Sequence, residues 1–161
     1  MAKGFSPNDI FEIAIRIEKN GTTFYNNAAK KINDEEQKKF LLELADMEKD
    51  HVKTFTDMKN ELEEKQTLSE VFDPDDENSL YLKALADTRV FFQKKEPDYS
   101  FKGILRSAIQ AEKDSIVFYL GMKEMVSTKD GKTKIDEIIK EEMDHIRILA
   151  GKLSEYNKPS I

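Results

Sequence analysis

No cysteine occurs in the 161 residues, which excludes disulfides, zinc–thiolate sites, iron–sulfur clusters and rubredoxin-type iron centres within the chain. Its absence fits a reducing compartment. Long apolar runs are missing as well. Met1 to Ser6 lacks the apolar stretch of a signal peptide, and no later run approaches the ~20 residues of a membrane span. The expectation is a soluble, cytoplasmic protein. Nor is there a basic excess: a net charge of −6 and a pI near 5.1 argue against nucleic acid or an anionic membrane as partners. Histidine is scarce, with two in the chain. The length suits one domain over residues 1–161, enough to bury a full core.

Both histidines lie in the same pattern. Glu48-Lys49-Asp50-His51 and Glu142-Met143-Asp144-His145 each read Glu-x-x-His. Residues three apart share a helix face, so each pair can offer a carboxylate and an imidazole to one point. Subtracting 48 from 142, or 51 from 145, gives 94. Thirty residues before each motif glutamate stand Glu18 and Glu112, again 94 apart. Ala14-Ile15-Arg16-Ile17-Glu18-Lys19 resembles Ala108-Ile109-Gln110-Ala111-Glu112-Lys113, and Phe24-Tyr25 matches Phe118-Tyr119 at the same offset. The chain reads as two copies of one helical hairpin, and the expected fold is an all-α antiparallel four-helix bundle.

Capping and periodicity predict helices near 7–32, 34–65, 100–126 and 133–156. Ser6 is a good N-cap, Pro7 suits the first helical position, and Asp9 favours the first turn. Ile10, Phe11, Ala14, Ile17, Gly21, Phe24, Ala28 and Ile32 then recur at helical spacing, with Glu18 inside the stripe. Asn33 is the expected cap of the second helix, with Glu36 three residues on. That helix carries Phe40, Leu41, Leu44, Glu48, His51, Val52, Phe55 and Met58 on one face. The midpoint of 18 and 48 is 33, so Glu18 and Glu48 lie equally far from the bend, roughly 22 Å at 1.5 Å per residue. The second hairpin bends similarly at the polar loop Ser127 to Lys132. Hairpin 1 spans about 6–65 and hairpin 2 about 100–157. Residues 66–99 between them contain an expected loop, Asp73 to Asn78, and a short helix, Ser79 to Phe92, before Glu96-Pro97-Asp98. So long a connection suits a crossover between hairpin ends at opposite ends of a bundle.

Glu18, Glu48, His51, Glu112, Glu142 and His145 therefore converge. A lone Glu-x-x-His in a glutamate-rich chain carries little weight. Two of them, each with an upstream glutamate on an apolar stripe, form a set of buried ionisable groups that requires compensating charge. An oxygen-rich set with two imidazoles suits iron or manganese better than a structural zinc site. Four ionised glutamates total −4, which two divalent ions neutralise. Asp50 and Asp144 lie well off the ligand face and are expected to face solvent.

On these residues the chain resembles the ferritin-like di-iron carboxylate proteins, the rubrerythrin and erythrin group in particular; one Glu from each of two helices and Glu-x-x-His from each of the others is the ligand arrangement of such bundles. The resemblance includes Glu18 to Tyr25 and Glu112 to Tyr119, each with a tyrosine two turns after the glutamate. It implies two iron ions (manganese or a mixed pair being the alternative), with Glu48 and Glu142 bridging and Glu18, Glu112, His51 and His145 terminal. It further implies an oxidoreductase that reduces hydrogen peroxide or oxygen, and a homodimer. Ferrous-iron oxidation is the alternative activity, and a non-enzymatic metal-binding bundle the third reading. The chain lacks a rubredoxin domain, so electrons would come from an external donor such as a rubredoxin-like protein. Ser115 stands where the group usually has a further glutamate. Gly21, at the matching position, suits either open volume beside the metals or close helix packing. Tyr25 and Tyr119, seven residues beyond Glu18 and Glu112, are the candidate catalytic residues; they would hydrogen-bond ligand carboxylates or protect against oxidising species.

Overall fold

The computed structural model describes residues 7–64, 77–88, 100–126 and 128–157. Among them are five helices: α1 (Pro7–Lys31), α2 (Glu35–Glu64), α3 (Glu77–Thr88), α4 (Phe101–Met125) and α5 (Lys129–Asn157). The four long helices are the expected ones. None of the described helices is long and apolar enough to cross a membrane.

The helix ends correct three expectations. α2 is capped by Asp34 rather than Asn33: the Asp34 Oδ1 accepts from the Gln37 amide at 3.0 Å, so the side chain with two acceptor oxygens takes the cap. α5 begins at Lys129, four residues before the expected Thr133, because Thr128 Oγ1 accepts from the Gly131 amide at 3.1 Å and starts the helix early. The polar loop is correspondingly shorter than Ser127 to Lys132. α3 includes Glu77 and Asn78, expected as loop. The rest of that loop, Val90 to Phe92, Glu96-Pro97-Asp98 and the Ser6 cap lie outside the described residues. The start of α4 is as expected: Ser100 is the N-cap and accepts from the Gly103 amide at 3.0 Å.

α1 packs along α2, and α4 along α5, as two hairpins. Between hairpins the contacts are reciprocal. Tyr25 of α1 reaches Glu112 of α4, while Tyr119 of α4 reaches Glu18 of α1. Such exchange between a residue and one seven positions on requires α1 and α4 to run antiparallel. Lys134 pairs with Glu61 at 3.6 Å, and the two Glu-x-x-His motifs meet crosswise, so α2 and α5 are antiparallel too. The long helices thus run up, down, down, up, so α2 ends at the opposite end of the bundle from the start of α4. α3 lies on α4, where a Cβ at Gly121 would stand 2.7 Å from Leu82 Cδ2. Only glycine permits that approach with Leu82 in place.

The apolar faces form two separate cores. One joins Ile10, Phe11 and Ile17 to Phe55, Phe118 and Ile135; the other joins Ala28 and Ile32 to Leu41, Leu44, Leu105 and Leu149. Each fully buried Leu, Ile or Phe contributes about 1.5–3 kcal/mol. The first core takes the N-terminal halves of α1 and α5 and the C-terminal halves of α2 and α4. The second takes the opposite halves. Exchanging α1 with α4 and α2 with α5 interchanges the cores, so the sequence repeat appears in space as an approximate two-fold axis crossing the bundle at its middle.

Asp34→Ala is expected to lower stability by about 1 kcal/mol and Asn33→Ala to leave it within ~0.5 kcal/mol. Denaturant unfolding of both variants checks this, and equal losses would remove Asp34 as the cap.

Candidate metal centre

Between the two cores lies a layer of charge. Glu18 on α1, Glu48 and His51 on α2, Glu112 on α4, and Glu142 and His145 on α5 are each no more than 3% exposed. All six residues singled out in the sequence meet here. The two imidazoles lie 5.8 Å apart between ring centroids, inclined by 22°. Asp50 and Asp144 are exposed, as expected.

The six fall into two overlapping groups. Glu18, Glu48, His51 and Glu142 form one; Glu48, Glu112, Glu142 and His145 form the other. In each, one donor atom per residue lies within 4.8 Å of all the rest. Glu48 and Glu142 belong to both. The imidazoles enter through Nδ1. His51 Nδ1 lies 2.7 Å from Glu142 Oε1, 3.4 Å from Glu18 Oε2 and 4.0 Å from Glu48 Oε2. His145 Nδ1 lies 3.3 Å from Glu48 Oε1, 3.5 Å from Glu112 Oε1 and 3.6 Å from Glu142 Oε2.

Proximity here does not amount to hydrogen bonding. Glu18 Oε2, Glu48 Oε1, Glu112 Oε2, both Glu142 oxygens and the Nδ1 atoms of both histidines are buried without a hydrogen-bond partner. Buried polar atoms are ordinarily satisfied, and leaving one unmade costs about 1–3 kcal/mol. Donors of lone pairs aimed at shared points are what a cation completes, so the residues fit a metal site.

The electrostatics agree. Burial, followed by the charge of Glu142, raises the Glu18 carboxyl, with Glu48 and His51 opposing. Burial and then Glu18 and Glu142 push Glu48 well above the usual range. Burial disfavours charge on His51, but Glu142 and Glu18 outweigh it and lift the imidazole to about 11. Burial likewise opposes the Glu142 carboxylate, and the adjacent imidazoles of His145 and His51 bring it down to about 2. Protons thus supply part of the positive charge the cluster requires, and cations binding there would displace them.

The tyrosines close the set. Tyr25 Oη donates to Glu112 Oε1 at 2.8 Å, and Tyr119 Oη donates to Glu18 Oε1 at 2.5 Å. Burial and the surrounding carboxylates raise both phenols well above their usual value. They remain neutral donors that fix the Oε1 atom of each outer glutamate and leave its buried Oε2 without a hydrogen bond. Ser115 is buried, and its hydroxyl donates to the Ala111 carbonyl at 2.9 Å. Its counterpart Gly21 is buried as well. One contact was not legible in the repeat: His51 Nε2 hydrogen-bonds Glu141 Oε2 on the outer side of the ring.

If the cluster takes divalent ions, they should stabilise the fold by mass action. At a thousandfold excess over Kd the gain is about 4 kcal/mol, or roughly 8–16 °C in melting temperature for a domain of this size. Calorimetry of chelator-treated protein with and without added Mn²⁺ measures it; an unmoved transition would count against a metal centre.

Comparison with known proteins fits this geometry. Comparison with curated proteins yields no match. Among solved structures, a ferritin-like diiron-carboxylate protein from Thermotoga maritima superposes with a TM-score of 0.68 at 27% identity, over 98% of this chain and 100% of that one. The sequence model of the Rubrerythrin family matches residues 9–92, a span containing Glu18, Glu48 and His51. By that match, over more than half its length, the chain belongs to the Rubrerythrin family.

Proposed function

We propose that the protein is a di-iron oxidoreductase that reduces hydrogen peroxide with electrons from an external donor. The observation that carries this reading is the membership of Glu48 and Glu142 in both donor groups. Two carboxylates common to two sites suit a pair of ions held side by side. Glu18 and His51 would complete one position, and Glu112 and His145 the other. The diiron description of the T. maritima relative supports iron over manganese.

When bound, two redox-active ions would supply the electron pair that breaks the O–O bond of peroxide. The balance is one peroxide, two electrons and two protons giving two waters. The electrons would come from an external donor, such as a rubredoxin-like protein, since this chain has no cysteine with which to hold a relay centre of that kind. The protein's own groups hold and shield the site. Tyr25 and Tyr119 keep Glu112 and Glu18 oriented, and the apolar cores above and below exclude bulk water. Low local dielectric strengthens every charge interaction in such a layer.

Ser115 favours a second reading, ferrous-ion oxidation at the same site. Its hydroxyl is committed to the helix backbone and carries no negative charge that could follow a change in metal position. Rapid mixing of the ferrous-loaded protein with peroxide or with oxygen separates the two, since a peroxide reductase oxidises its iron faster with peroxide and turns over with donor.

His51→Ala and His145→Ala are each expected to lower bound iron and peroxide turnover together, measured by elemental analysis and peroxide consumption. Full turnover without metal would end this reading. Ser115→Ala should leave metal content unchanged, because the serine hydroxyl bonds Ala111.

A further inference from the structure

The two-fold symmetry of the donor set is broken just outside it. Glu141 precedes Glu142 on α5 and reaches across to α2, where its Oε2 hydrogen-bonds His51 Nε2. Position 141 is related by the repeat offset of 94 to position 47, which is Met47. A thioether carries no charge and is a weak acceptor. Among the described residues no carboxylate lies within ion-pair distance of His145 Nε2, although every inner neighbour of that ring has its counterpart around His51. Glu141 and Met47 are both exposed, at 59% and 40%, so close packing in the interior does not dictate either residue.

We propose that Glu141 is a positioning residue that makes the two metal positions unequal, so that the His51 position fills first. The inference rests on the metal-centre reading above. A carboxylate on the outer nitrogen fixes that nitrogen as the N–H donor. It thereby presents the Nδ1 lone pair inward, holds the ring in orientation and raises its basicity as a ligand. Loss of such an outer partner typically costs 10–100-fold in metal affinity. His145, with no such partner among the described residues, must order its ring and tautomer on binding. The group Glu18, Glu48, His51 and Glu142 therefore binds a divalent cation about 10–100-fold more tightly than the group of His145.

A stepwise titration alone does not test this, because two cations sharing Glu48 and Glu142 repel and would separate even two equal sites. Which ring is occupied at one equivalent does. The chain contains two histidines, so ¹⁵N NMR of histidine-labelled protein gives two assignable rings, and Zn²⁺ is a diamagnetic probe. At one equivalent of Zn²⁺, His51 Nδ1 is expected to show the ligand shift while His145 stays essentially as in metal-free protein. Glu141→Met should divide the single ion about evenly between the rings, and Glu141→Gln, which keeps an acceptor but not the charge, should fall between. Met47→Glu in the wild-type background should also even the distribution, a gain that a merely structural role for Glu141 does not produce. Equal shifts in the wild type, first occupancy of His145, or a distribution unmoved by Glu141→Met overturns the proposal while leaving the metal centre standing. Failure of the wild type to retain any Zn²⁺, with neither ring shifted, overturns both.

Discussion

Four glutamates confined in one buried layer set the terms for the rest of the bundle. Like charges so close repel, and burial raises the cost of each. The surroundings answer that cost from three sides: two imidazoles face inward, two phenols donate to the outer carboxylates, and the remaining oxygens converge where cations can sit. Helix direction follows as well. Reciprocal Tyr–Glu contacts and crosswise Glu-x-x-His motifs are simultaneously possible only when α1 opposes α4 and α2 opposes α5. The end of α2 and the start of α4 then lie at opposite ends of the bundle, and α3, between them in sequence, is seated on α4 at Gly121.

The polar layer also specifies register. An apolar stripe of Ile, Leu and Ala tolerates sliding by one helical turn with modest loss, because such faces are similar along their length. Sliding here would carry Glu18 or Glu48 into Phe, Ile and Leu, leaving a buried carboxylate without a partner. Removing one partner of a buried charged group costs about 3–5 kcal/mol, more than any single apolar contact returns. The charged layer thus discriminates among packings that the two cores alone would leave close in energy.

Most of this was legible in the chain because helical geometry is rigid. A three-residue interval fixes Glu48 beside His51 and Glu142 beside His145 on any helix, and a repeat of 94 positions relates the two hairpins without knowledge of their packing. The seven-residue step from Glu18 to Tyr25 placed the phenols near the ligand layer, though their exchange across hairpins came from the antiparallel docking of α1 and α4. Cap positions were less legible, since Asn33 and Asp34, or Thr128 and Thr133, offer similar side chains a few residues apart. Glu141 was hidden for a different reason. It has no counterpart in the repeat, it is exposed, and its contact depends on how closely α2 and α5 approach. The signal that could have found it was the departure from symmetry itself, a glutamate where the other copy has methionine.

The division of the interior into two cores bears on how substitutions combine. Phe11 and Phe55 belong to one cluster, Leu41 and Leu105 to the other, and the charged layer stands between them. Sites without shared partners contribute independently to stability, whereas sites in one network do not. Volume changes in opposite halves of this molecule therefore add, each half answering only for its own vacancies. Substitutions at Glu18, Tyr119 or His51 couple to one another, and through Glu48 and Glu142 to their counterparts across the axis. For the effects of mutation the protein is two nearly independent bodies joined by one strongly interdependent plane.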